Sequence, residues 1–142
     1  MLRAVVGEAL GPILNWDDPS GDGAARLGSL YGQTFARLSE LEPTFRAALR
    51  QSLEPDVAEP GDKSLGRGHR RALLARAIAG TGLPPELATR LVRALSLTYG
   101  IEALVVLKDI CGLTDQEAAD VALWSARALL AAAKREARAD AV

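Results

Sequence analysis

The 142-residue chain is predicted to fold as an all-α protein, a single domain built as an antiparallel bundle of about five helices. Apolar residues recur at the three- and four-residue spacing of helices, and the two-residue alternation typical of strands is absent. The last third is the most apolar: 94–107 carries one charge and 118–133 carries two. A helix that is apolar on most of its circumference is buried on more than one side. These last helices therefore need more cover than one small domain supplies.

The first half of the chain contains three predicted helices. They cover about 2–14, 24–41 and 43–53, and a turn-rich break separates the first two. Pro43 is suited to the first turn of the third helix. Proline, glycine and charged residues dominate 54–68, and a connection of that length without regular structure is typical of a flexible loop.

The second half begins with a fourth helix, predicted over about 69–79. A fifth segment starts after two prolines, and its composition allows an unbroken helix from Pro85 to Ile110 with a kink at Gly100. Gly112 is suited to the residue that follows a helix end, and the sequence from Thr114 to Glu117 is a capping box for the last helix.

Two edges of the fifth segment differ in character. One edge is apolar throughout, which is typical of a side that packs inside the chain, and it consists of Ala88, Val92, Leu95, Tyr99, Ala103, Val106 and Ile110. The other edge begins with Arg90 and Arg93 and becomes apolar only later, as a partner surface would. That edge and one face of the last helix predict a homodimer joined by a four-helix packing, through Leu97, Ile101, Leu104, Trp124, Ala128 and Ala131. A larger monomeric core is the alternative.

The residues of this last third resemble the C-terminal half of TetR/AcrR-family transcriptional regulators. The resemblance lies in Leu83-Pro84-Pro85-Glu86-Leu87, Gly100-Ile101-Glu102-Ala103-Leu104, Lys108-Asp109-Ile110-Cys111-Gly112-Leu113 and Trp124-Ser125-Ala126-Arg127-Ala128-Leu129. It implies an effector-binding domain that dimerises through its last two helices and holds a ligand among its middle helices. Those regulators begin with a helix-turn-helix domain, and nothing before residue 60 matches one. The resemblance therefore implies contact with DNA only through an N-terminal domain missing from this sequence.

A ligand pocket among the middle helices needs a lining, and aromatic and leucine side chains are the candidates. The residues expected to line it are Tyr31, Phe35, Phe45, Leu49, Leu73, Leu95 and Tyr99. Core packing is the alternative role for each of them. A mostly apolar lining with a few hydroxyls suits an apolar or aromatic small molecule.

Composition argues against several other classes of protein. The sole histidine, His69, and the sole cysteine, Cys111, offer neither a catalytic triad nor a set of metal ligands, so we expect no enzyme, metal or cofactor. Cys111 is expected to be a buried, unreactive thiol, and a single cysteine suits a reducing cytoplasm. The formal net charge of −1 does not favour nucleic acid, and no apolar run is long enough for a membrane span.

Two alternatives from other classes stay open. The stretch 113–138 superficially echoes a sigma-factor-like helix-turn-helix, in which an acidic capping turn precedes a short helix. Apolar residues occupy the positions that would read bases, which argues against this DNA-binding role. The second alternative is a small helical enzyme.

Overall fold

The computed structural model describes residues 2–54 and 67–141, and in these ranges the chain is helical without any strand. The elements in chain order are α1 (Leu2–Leu14), α2 (Gly23–Glu40), α3 (Glu42–Ser52), α4 (Arg67–Ile78), α5 (Pro85–Leu95), α6 (Ile101–Val105), a π-helical turn (Val106–Ile110) and α7 (Asp115–Asp140). The all-α class is confirmed, although the described part holds more helices than the five expected. The flexible loop expected at 54–68 lies almost wholly outside the described residues.

Helix α2 is at the centre of the fold. It packs against α1, α3, α4, α6 and α7. Its inward side chains, which include Leu27, Leu30 and Phe35, are almost completely buried. Asp22 caps its first turn by accepting a hydrogen bond from the amide of Ala24. The other helices are thus arranged around one apolar core.

Helix α7 is one unbroken helix of 26 residues. The predicted capping box is present, because the Thr114 hydroxyl accepts from the Glu117 amide and the Glu117 carboxylate accepts from the Thr114 amide. Its buried face consists of Ala118, Ala122, Ala126, Leu130 and Ala133. Small side chains on this face allow α7 to lie close to α2. No helix in the described ranges has both the length and the apolar character to cross a membrane.

The prediction that one unbroken helix runs from Pro85 to Ile110 is wrong. Helix α5 ends at Leu95, and the chain turns through 96–100 before α6 begins. Gly100 has a φ of +99°, and a Cβ atom there would lie 2.6 Å from a guanidinium nitrogen of Arg70. The backbone conformation favours glycine, and a larger residue would also have to displace the end of the Arg70 side chain. Farther on, the Cys111 amide donates to the Val106 carbonyl five residues back, which defines the wide π-helical turn.

These two interruptions change which side chains face the core. Each extra residue rotates the following residues by about 100° around the helix axis. Val106 and Ile110, expected on the inner edge, are therefore 47% and 79% exposed, whereas Ile101 and Leu104, expected at a partner surface, are buried. The inner residues Leu95, Tyr99 and Ala103 are buried as predicted.

A network of charges attaches α3 to the π-helical turn. The Glu42 carboxylate accepts from Lys108 at 2.6 Å and from Arg46 at 2.9 Å, and Arg46 also donates twice to Asp109 at 2.8 Å. Lys108 also pairs with Asp115 at the start of α7. The hydrogen bonds from Lys108 and Arg46 hold the pKa of Glu42 below its ordinary value of 4.5, in spite of partial burial.

Replacement of Glu42 by glutamine should lower the free energy of unfolding by about 1 kcal/mol near neutral pH. Because the folded pKa is depressed, the stabilisation is complete above pH 4.5 and is lost as the pH falls through the folded pKa. Urea denaturation at several pH values would measure it. Glu40→Gln is the matched control, since Glu40 pairs only with Arg37 at the surface among the described residues. Equal losses in the two variants would contradict a specific role for Glu42.

Candidate functional site

A mostly apolar pocket lies between α1, α3, α4 and α6, beside the central helix α2. Its cavity volume is about 80 Å³, and the pocket is partly open to solvent. Four of the seven residues predicted to bind a ligand line it, namely Phe45, Leu49, Leu73 and Tyr99. His69, which is exposed at the start of α4, also borders the pocket, so the mouth of the pocket lies at the start of α4.

The other three predicted residues, Tyr31, Phe35 and Leu95, lie in the core behind the pocket and do not line it. The ring of Tyr31 stacks near Phe35 at 6.0 Å between centroids and meets Tyr99 edge to face at 5.2 Å. These side chains therefore support the pocket wall from behind. Their spacing along the helices could not distinguish lining from support.

Several lining residues were not predicted from the sequence. Helix α1 contributes an entire side through Leu10, Ile13 and Leu14, and α6 contributes Glu102. Leucines of a short N-terminal helix look the same whether they pack in a core or border a cavity, so no sequence signal identified them. Thr34 on α2 is also in the lining, and a threonine at an otherwise apolar helix position was a signal that could have been used.

Two residues of the lining, Thr34 and Tyr99, form a pair of buried hydroxyls. The oxygens of Thr34 and Tyr99 are 2.7 Å apart, and both residues are almost completely buried. Burial raises the pKa of Tyr99 to about 12, although the hydrogen bond with Thr34 and the charge of Arg70 act in the opposite direction. The phenol therefore keeps its proton near neutral pH and remains a hydrogen-bond donor.

An ion pair lies at the mouth of the pocket. Arg70 on α4 donates to the carboxylate of Glu102 on α6 at 2.5 Å, and both side chains border the pocket. Arg70 packs directly over Gly100, at the break between α5 and α6. The pair thus connects α4 to α6 across the point where the chain turns.

A second feature is an exposed apolar surface beside α6 and α7, which we name the outer face. It consists of Leu97, Val106, Ile110, Val121 and Trp124. Leu97, Val106 and Val121 line one groove of about 420 Å³ between α6 and α7. Trp124 lies one turn beyond Val121 and is 72% exposed. Large exposed apolar side chains grouped in this way are typical of an interaction surface.

The six residues predicted at a dimer interface divide into two groups. Leu97, Trp124, Ala128 and Ala131 are exposed, the last three along one face of α7. Ile101 and Leu104 are buried inside the chain, at 8% and 0% exposure, and cannot meet a partner in this conformation. The break at Gly100 is the reason, and the outer face gains Val106 and Ile110 in their place.

Two smaller expectations from the sequence are contradicted by the structure. A helix-turn-helix at 113–138 is not formed, because α7 continues without a turn from Asp115 to Asp140. Cys111 is exposed rather than buried, since it follows the π-helical turn at the surface. Among the described residues, no three of His, Cys, Asp and Glu come together as metal ligands.

Comparison of this chain with protein-family models, with curated proteins and with solved structures finds no match.

Proposed function

We propose that the chain is the ligand-binding and homodimerisation domain of a TetR-like transcriptional regulator, active in the cytoplasm as a small-molecule sensor. The pocket between α1, α3, α4 and α6 would bind an apolar or aromatic effector. The outer face would join two copies. DNA would be contacted only through a helix-turn-helix domain outside this chain. The observation that carries the proposal is that an apolar pocket and an exposed apolar surface both adjoin one short helix, α6.

The shape of the outer face favours a second copy as its partner. A two-fold interface uses the same patch on both subunits, so the patch must hold both a protruding side chain and a recess that accepts one. Trp124 protrudes from α7, and the groove bordered by Leu97 and Val121 lies beside it. A tryptophan seated in an apolar groove is also the kind of contact that dominates binding energy.

Arg70 and Glu102 offer a route between the two features. Both side chains border the pocket, and both also border the groove of the outer face. A ligand that shifts this ion pair would change the groove, and hence the arrangement of two copies that pack against it. By linkage, the ligand would favour whichever arrangement binds it more tightly.

The pocket can be tested by filling it. We expect Leu49→Trp to abolish the binding of a small aromatic probe, acetophenone, because the larger side chain occupies a cavity of only about 80 Å³. Leu53→Trp is the matched control, one turn along the chain, since Leu53 is 73% exposed and does not border the pocket. Chemical-shift changes in ¹⁵N-labelled protein during titration would report binding. Absence of saturable binding to the unsubstituted chain, or its survival in Leu49→Trp, would contradict the proposed ligand site.

A further inference from the structure

Two tyrosine–threonine pairs, one partly buried and one buried, differ in how their hydroxyl protons are used. Tyr31 and Thr98 have oxygens 2.7 Å apart, and Thr98 donates onward to the Leu95 carbonyl at 2.8 Å. Both protons of that pair therefore have acceptors. In the pair formed by Thr34 and Tyr99, one proton lies between the two oxygens, and no other hydrogen bond among the described residues uses the second proton.

No backbone carbonyl of α2 accepts a hydrogen bond from the remaining hydroxyl proton of the Thr34–Tyr99 pair. A threonine or serine in a helix often donates to the carbonyl four residues back, as Thr89 and Ser125 do here. Thr34 makes no such bond among the described hydrogen bonds. Whichever hydroxyl donates to the other, the pair keeps one O–H donor, and both residues border the pocket. A buried donor without a partner is costly, so an acceptor in the pocket would be stabilised there.

The charges at the mouth select against an anionic acceptor. Arg70 is paired with Glu102, so the positive charge nearest the pocket is already neutralised. A carboxylate ligand would have to lose its water and approach the carboxylate of Glu102. A neutral oxygen acceptor can bond to the hydroxyl pair without that cost.

We propose that the effector is a neutral, mostly apolar molecule with a carbonyl-type oxygen, and that this oxygen accepts a hydrogen bond from the Thr34–Tyr99 pair. This inference rests on the proposed function of the pocket as a ligand site. It adds the chemical class of the ligand and the residues that recognise its polar group.

Three probes of nearly identical shape separate the contributions to binding. Acetophenone carries the carbonyl oxygen, α-methylstyrene replaces that oxygen with CH₂, and benzoate replaces the acetyl group with a carboxylate. Their dissociation constants would be measured by NMR titration with the unsubstituted chain and with Thr34→Val/Tyr99→Phe. Removal of both partners of a buried hydrogen bond by groups of similar shape leaves stability almost unchanged, so this double variant should fold.

We expect the double variant to lose about fivefold in affinity for acetophenone relative to α-methylstyrene, the ratio that one net hydrogen bond supplies. Tyr31→Phe is the matched control, because it removes a buried phenol oxygen that does not border the pocket, and it should leave the ratio unchanged. Benzoate should bind more weakly than acetophenone, and Glu102→Gln should reduce that difference by freeing Arg70.

The outcomes separate this inference from the function on which it rests. If acetophenone and α-methylstyrene both bind and the double variant does not alter their ratio, the hydroxyl pair does not recognise the ligand, while the pocket remains a ligand site. Tightest binding of benzoate would overturn the neutral class. If none of the probes binds, the ligand site itself is refuted, and this inference with it.

Discussion

Replacement of Trp124 by glutamate is expected to convert a dimer of twice 15.0 kDa into a monomer. Trp124 is 72% exposed within the chain and stands beside the groove of the outer face, so a partner copy would bury a large aromatic surface there. In a two-fold interface each copy would contribute one glutamate, so dimerisation would remove two negative charges from water. This cost opposes dimerisation. Sedimentation velocity at micromolar concentration would measure the change in mass.

A matched control shows whether this effect is specific to the outer face. Leu53→Glu introduces the same charge at a side chain that is equally exposed, 73%, but lies at the end of α3. We expect that variant to remain dimeric. If Trp124→Glu also remains dimeric, the partner surface lies elsewhere on the molecule.

Leu104→Ala should have the largest effect on the stability of the individual chain, a loss of about 3 kcal/mol in the free energy of unfolding. Leu104 has no exposed surface, and its removal leaves a cavity in the core that the surrounding helices fill only in part. Association would contribute to the measured stability of a dimer. The substitution is therefore best made in the monomeric Trp124→Glu background and followed by urea denaturation.

Leu97→Ala in the same background is the comparison for Leu104→Ala. Leu97 is 83% exposed, so its truncation should change the stability of the monomer by less than about 0.5 kcal/mol. The same substitution in the unaltered chain should weaken dimerisation. Equal destabilisation by the two alanine variants would contradict the assignment of Leu104 to the core and Leu97 to the partner surface.

The sequence was sufficient for the elements with strong local signals. The capping box at Thr114, the glycine at 112 with a φ of +71°, and the proline at the start of α5 define helix ends through interactions of a few neighbouring residues. Helical spacing also placed Leu95 in the core, because Leu95 precedes the turn at 96–100, and Tyr99 within that turn is buried as well.

Beyond Gly100, helical spacing placed Ala103 correctly but not Ile101, Leu104, Val106 or Ile110. A helical pattern assigns faces only while each residue adds the same rotation, and the turn at 96–100 and the π-helical turn both interrupt that rule. Leu104 was therefore assigned to the surface and Val106 to the core, the reverse of their positions in the structure. The sequence predicts a kink at Gly100, but the full turn there, with a φ of +99° at Gly100 and Arg70 packed over it, involves a residue far away in the sequence.

Only part of the candidate pocket could be predicted from the sequence, and the reason differs from the one that applies to α6. Phe45, Leu49, Leu73 and Tyr99 were recognised as apolar residues of the middle helices, and all four border the cavity. The contribution of α1 and the pairing of Arg70 with Glu102 depend on contacts between distant segments, which periodicity within one helix does not report.

The mass of the unaltered chain in solution tests the central claim most directly, because the proposed sensor works only as a pair of copies. Sedimentation equilibrium over a concentration series from nanomolar to micromolar would determine it. We expect a single species of twice 15.0 kDa at micromolar concentration, dissociating on dilution. A species of 15.0 kDa throughout the micromolar range would contradict the account.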